Sequence, residues 1–141
     1  MTFGSRSTSA RVLVDTSAFF ALISSSDANH RQAVEASKQM RRQPITTNFI
    51  VAETHALCLR RLGRDSALRF LNNVNDRLAT LVRVSEEDEH RALEIIVSHT
   101  DKDYSLTDAT SFAIMERLRI DAAFTFDRHF AQFGFVVLGM E

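Results

Sequence analysis

An α/β fold, doubly wound around a mostly parallel central sheet with helices on its faces, follows from three features of this chain. Short aliphatic runs alternate with longer amphipathic stretches, the order expected of repeated strand–helix units. Val12, Leu13 and Val14 form one such run and read as a short buried strand. Two runs finish on an acid, Asp15 and Asp127, and open α/β sheets bind their ligands outside the carboxyl ends of the strands.

Residues 1–10, "MTFGSRSTSA", read as a loose Ser/Thr-rich tail, leaving 11–141 as a single domain. The strand Val12–Asp15 leads into a brief helix over Ala18–Ile23. "SSSD" offers several N-caps for a polar amphipathic helix, "ANHRQAVEASKQMRRQ", which Pro44 stops. "ITT" is the second strand. "NFIVAETHALCLRRLG" is a helix with Asn48 as its cap and Gly63 closing it. A further helix in "DSALRFLNNVNDRL" precedes the strand "TLVRV". "SEEDEHRALEIIVSHT" opens on an acidic first turn that suits the helix dipole. After the polar loop "DKDYS" come the helix "LTDATSFAIMERLRI" and the strands "AAFTF" and "FVVL".

Composition sets the outer limits. A chain of 141 residues with 45% hydrophobic and 25% charged residues has one domain's worth of core. Net charge is −1, so the overall field does not announce a nucleic-acid binder, although an acidic site can mask a basic surface. A single cysteine, Cys58, excludes an internal disulfide framework and a cysteine-rich zinc site. No run approaches the ~20 apolar residues of a membrane span, and the N-terminus lacks the apolar core of a signal peptide. The expected location is cytoplasmic, with no membrane partner.

Four acids stand out, each with a plain alternative. Asp15 can cap the helix that follows it. Glu53 has Phe49, Ile50, Ala56 and Leu57 as its helical neighbours, so it projects from the apolar stripe, where a salt bridge would also explain it. Asp108 has the Ser-x-x-acid spacing of a capping box with Ser105. Asp127 can cap a single turn in "DRHFAQF". Taken together, they fall where an α/β fold gathers residues: two strand ends, one helix start and one helical face.

Clustered carboxylates raise one another's pKa unless a cation neutralises them. Hard divalent ions take oxygen ligands, and a pair of ions ~4 Å apart can activate water and stabilise a leaving oxygen in phosphodiester cleavage. Other chemistries that begin with an acid after the first strand fail on particular residues. An aspartyl-phosphate phosphatase needs a second Asp at position 17, which is Ser, and a receiver domain needs a lysine at a late strand end, where neither Lys38 nor Lys102 lies. There is no glycine-rich phosphate loop and no GxSxG elbow.

The blocks "VLVDTSAFFAL", "TTNFIVAETHAL", "YSLTDATSFAIMERLRI" and "AAFTFDRHFAQFGF" resemble, in order, those of PIN domains, specifically the VapC-type toxins of prokaryotic toxin–antitoxin pairs. The resemblance runs from Val12 to Leu138. It implies a PIN-like doubly wound fold whose acidic pocket binds Mg²⁺ or Mn²⁺, one or two ions, and cleaves RNA. Carried over block by block, Asp15, Glu53, Asp108 and Asp127 are the catalytic and metal-site acids. It also implies a cognate antitoxin and a homodimer.

Thr16, Ser17 and Thr125 flank these acids and could hydrogen-bond metal waters or phosphate, although plain helix-cap or strand-facing hydroxyls are the simpler explanation. Arg128 adjoins the site and is the best-placed RNA contact among 15 arginines. His129 follows Asp127 closely and could touch substrate, while His30, His55, His90 and His99 read as surface or boundary residues. The expectation is a metal-dependent ribonuclease. A non-catalytic RNA-binding or antitoxin-docking module of the same fold, or a metal-dependent DNA nuclease, remains open on these residues alone.

Overall fold

The computed structural model describes residues 10–140, so the N-terminal tail, apart from its last residue, lies outside the described residues. Five strands form one sheet: β1 (Arg11–Val14), β2 (Gln43–Thr47), β3 (Thr80–Val82), β4 (Ala122–Phe124) and β5 (Val136–Leu138). Their order is β3-β2-β1-β4-β5, and all four pairings are parallel. Strands in parallel sheets are covered on both faces and become continuously apolar, which is why Val12, Leu13 and Val14 are all buried.

Among the described residues there are seven helices: α1 (Thr16–Ile23), α2 (His30–Gln39), α3 (Asn48–Leu62), α4 (Arg64–Asn75), α5 (Glu86–Ser98), α6 (Leu106–Leu118) and α7 (His129–Phe133). The chain leaves β1 towards β2 and β3, then returns to lay β4 on the other side of β1. That reversal makes the carboxyl ends of β1 and β4 the topological switch point of the sheet.

Several boundaries differ from the sequence reading. The second helix ends at Gln39 rather than running to Gln43; proline accounts for Gln43 itself leaving helical geometry. Gln43 instead donates its N–H to Ala10 O at 2.8 Å and opens β2. Pro44 therefore lies inside the strand; its missing N–H would face β3, whose pairing with β2 begins one residue later at Ile45. The cap of α3 is Thr47, whose hydroxyl accepts from Ile50 N at 3.0 Å. Asn48 Oδ1 accepts from Val84 N at 2.8 Å, tying the start of α3 to the segment after β3.

Helices α5 and α6 are clamped by ion pairs. Asp88 is 2% exposed, completes a capping box with Ser85, and accepts two 2.9 Å bonds from Arg117 Nε and Nη2. Burial opposes its charge, but the Arg117 and Ser85 hydrogen bonds outweigh that and hold its pKa below the usual carboxylate range. Arg91 makes a second fork onto Glu116 at 2.9 and 3.1 Å. Asp88→Ala removes the Asp88 half of the capping box and the better-buried pair, and is expected to cost about 2 kcal/mol. Arg117 is partly exposed and can rehydrate, which keeps the loss below that of a fully buried pair. Urea unfolding measures it; a loss under ~0.5 kcal/mol, the scale of an ordinary surface substitution, would refute the clamp.

Candidate active site and metal centre

Asp15 leaves β1 at the switch point. Its backbone N–H donates to Phe124 O at 3.1 Å, which stitches the ends of β1 and β4 together. It occupies the N-cap position of α1, yet its carboxylate caps nothing there. Instead Oδ2 accepts from Thr125 Oγ1 at 2.9 Å and from Ser17 Oγ at 3.1 Å. Those hydroxyls also organise the loop after β4: Asp127 N donates to Thr125 Oγ1 and Phe126 N to Ser17 Oγ, each at 2.9 Å. Thr125 is fully buried, so its role is to hold Asp15 and the Asp127 loop.

This carboxyl group is 4% exposed. Burial raises its pKa to about 7, with the negative charges of Asp108 and Asp127 adding to the effect and the Thr125 hydrogen bond opposing it in part. An acid pushed this far by burial, with neighbouring charges adding to it, is a functional-site candidate on physical grounds.

Asp108 has two roles at once. In the first turn of α6 it completes the capping box with Ser105, accepting from Ser105 N at 3.2 Å through Oδ2 while its own N–H donates to Ser105 Oγ at 3.0 Å. The same Oδ2 meets His129 Nδ1 at 2.8 Å. Burial raises the Asp108 pKa and the Asp127 charge adds to this, against the His129 hydrogen bond. Asp127 Oδ1 lies 3.4 Å from His129 Nδ1 and accepts the His129 backbone N–H at 2.9 Å. One donor atom from each of Asp108, Asp127 and His129 falls within 4.8 Å of the others. Burial alone would lower the His129 pKa; the Asp108 hydrogen bond and the two aspartate charges reverse that and raise it.

Glu53 needs a correction. It is exposed rather than set in the buried stripe of α3, which consists of Ile50, Thr54 and Cys58. Its neighbours Phe49 and Ala52 line an open groove together with Asn48 and Thr107. Apolar helical neighbours thus mark a groove wall here, where the sequence pattern suggested core. Thr16 Oγ1 donates to Glu53 Oε1 at 2.6 Å and itself accepts from Thr54 Oγ1 at 3.2 Å, so Glu53 is aimed from the residue next to Asp15. Arg128 is exposed on the loop between Asp127 and His129.

The donor set suits a divalent cation. Asp108 and Asp127 offer hard oxygen atoms of the kind such ions take; Asp15 lies outside that close group but feels the charge of both, a repulsion that a bound cation would relieve. His129, a cation only when protonated, lies within 4 Å of both Asp108 and Asp127.

A family model for the PIN domain matches residues 12–136. A curated relative, the 23S rRNA-specific endonuclease VapC20 of Mycobacterium tuberculosis, is 37% identical over 128 residues, covering 89% of this chain and 95% of that protein. The crystal structure of Mycobacterium tuberculosis VapC20, described as a sarcin-ricin loop cleaving toxin, superposes with a TM-score of 0.85 at 33% identity, covering 89% of this chain and 96% of the other. A toxin–antitoxin complex from Klebsiella pneumoniae shares the fold at a TM-score of 0.70 and 18% identity, covering 92% and 98%.

Proposed function

This chain belongs to the PIN-domain family, among its VapC-type ribonuclease toxins, and from that premise we propose that it hydrolyses a phosphodiester bond of 23S ribosomal RNA in a metal-dependent reaction. One observation carries the chemistry: Asp15, buried and raised to about pH 7 in its pKa by burial beside Asp108 and Asp127. The choice of RNA is supported by the relative named for that substrate. The sarcin–ricin loop, which the related Mycobacterium tuberculosis toxin is described as cleaving, is the first place to look for the cut.

In this reading Asp15, Asp108 and Asp127 hold one or two Mg²⁺ or Mn²⁺ ions, and Glu53 completes the acidic set from the groove rim. A divalent ion, when bound, supplies the Lewis acidity that makes water nucleophilic near neutral pH and neutralises the departing oxygen. The protein's part is positioning. Ser17 and Thr125 fix one Asp15 oxygen, Thr16 orients Glu53, and Arg128 contacts the phosphate backbone from the exposed side. No side chain becomes covalently attached to the RNA.

The same reading assigns residues 11–141 to one functional unit in the cytoplasm, where ribosomal RNA resides. It pairs the chain with a cognate antitoxin and with a second copy of itself. Among the described residues no helix is long and apolar enough to cross a membrane.

The test is incubation of the purified chain with 23S rRNA, and separately with single- and double-stranded DNA, in Mn²⁺ or EDTA, with primer extension to map the ends. A single RNA cut that requires metal is the expected result. Cleavage of DNA instead would reassign the substrate. Metal binding without any cleavage would make the fold a non-catalytic module.

A further inference from the structure

We propose that His129 Nδ1 is a ligand of the ion held by Asp108 and Asp127, and that this nitrogen turns the centre from Mg²⁺ towards Mn²⁺. The proposal rests on the metal-dependent reading above and extends it beyond the four acids.

The geometry is that of adjacent corners of one coordination sphere. Ligands at ~2.1 Å and right angles around an octahedral ion lie ~3 Å apart. His129 Nδ1 stands 2.8 Å from Asp108 Oδ2 and 3.4 Å from Asp127 Oδ1, so the nitrogen lies at ligand-to-ligand spacing from both oxygens. The imidazole is also held in place. Tyr104, 7% exposed, packs edge-on against it with ring centroids 5.3 Å apart. Tyr104 in turn is wedged against His99, Phe112 and Phe133. On the other side, the His129 backbone N–H is fixed to Asp127 Oδ1. A ring anchored through its neighbours keeps Nδ1 facing the carboxylates.

To hold an ion, Nδ1 would have to be bare: an imidazolium would release its Nδ1 proton to solvent, and a neutral ring would carry its hydrogen on Nε2. Mg²⁺ dehydrates reluctantly and holds to oxygen; Mn²⁺ stands lowest among the transition metals in affinity but is softer than Mg²⁺, so it gains more than Mg²⁺ does from an imidazole nitrogen. A centre with two carboxylates and one imidazole therefore discriminates by donor chemistry, in favour of Mn²⁺. The competing explanation of the same contacts is that His129 only fills the metal-free site and swings out when the ion arrives.

Pulsed EPR of Mn²⁺ bound to the full chain separates the two. The expected spectrum carries ¹⁴N modulation from one imidazole, lost in His129→Asn. In that variant the Mn²⁺ Kd should rise at least about tenfold, the low end of what second-shell changes already cost, while the Mg²⁺ Kd changes less than about twofold. His129→Gln repeats the measurement if His129→Asn does not fold. Mn²⁺ bound to the wild type without nitrogen modulation, or modulation that survives both substitutions, would overturn the role of His129 and leave the metal-dependent reading standing. Failure of the folded wild type to bind Mn²⁺ would overturn that reading and this proposal together.

Discussion

Asp15→Asn is expected to lower RNA cleavage at least about a hundredfold and, in the metal-free protein, to raise stability at pH 8. Both effects come from the same buried charge. In the proposed reading this carboxylate is one of the ion's ligands, so its loss weakens and misplaces the cation that the reaction needs. Without metal, that carboxylate must ionise among Asp108 and Asp127, and its pKa stands at about 7 against an ordinary 3.8. This gap corresponds to as much as about 4 kcal/mol of destabilisation once the group is charged. Asn keeps an oxygen for Thr125 and Ser17 but carries an NH₂ that still needs a partner. A net gain of about 2 kcal/mol, or roughly 5–10 °C in Tm, is the realistic expectation.

The sign with pH makes the prediction specific. A raised carboxylate pKa means that the native state holds a proton the unfolded chain has released, so wild-type stability is lost as pH rises from about 3.8 to about 7. The raised pKa of His129 acts in the same direction, its stabilisation lost as pH rises through the folded value. Asp88, with its lowered pKa, stays ionised throughout and does not contribute in this window. The advantage of Asp15→Asn should thus be present at pH 8 and largely gone at pH 5.5, read by thermal melting in EDTA. Equal melting differences at the two pH values, or undiminished cleavage by the variant, would refute the account.

The strand-end acids were legible because the topology of an α/β sheet is written in its order of elements. Once β1 and β4 are neighbours, Asp15 and the loop that carries Asp127 come to the same end of the sheet. Asp108 was legible for a second reason, its spacing from Ser105, and here the two readings coexist: the residue caps α6 with one set of bonds and faces the site with the same carboxylate. A capping motif is therefore no argument against a functional role. For Asp15 the capping alternative fails, since the side chain turns away to Thr125, a contact across 110 positions that no local pattern encodes.

Glu53 shows where periodicity stops. Helical neighbours at three and four residues identify a face, but they do not say whether that face meets a core or a groove. The buried stripe of α3 is offset by one residue, through Thr54, and the polar residue in that stripe is what hands the Thr16 hydroxyl on to Glu53. His129 was only partly legible for a related reason. Its two-residue separation from Asp127 was visible, yet its main partner is Asp108, brought near by the packing of α6 against α7.

The apparent affinity for Mn²⁺ is expected to fall about tenfold for each pH unit below 7 and to level off above it. An ion can be accepted by Asp15 only as a carboxylate, and burial together with the charges of Asp108 and Asp127 keeps that group protonated up to about pH 7. Binding must therefore displace a proton, and each unit of acidification adds its full cost. At pH 5.5 the affinity should be about 30-fold below its plateau if a single proton leaves. The raised pKa values of Asp108 and His129 steepen the fall if their protons leave as well. Calorimetric titration at several pH values, in buffers of different ionisation enthalpy, counts those protons directly. In Asp15→Asn the slope should drop by about one proton while residual binding persists through Asp108 and Asp127. A wild-type affinity that is flat between pH 5.5 and 8, with no proton released, would mean that the ion does not engage Asp15 and that its burial serves the fold alone.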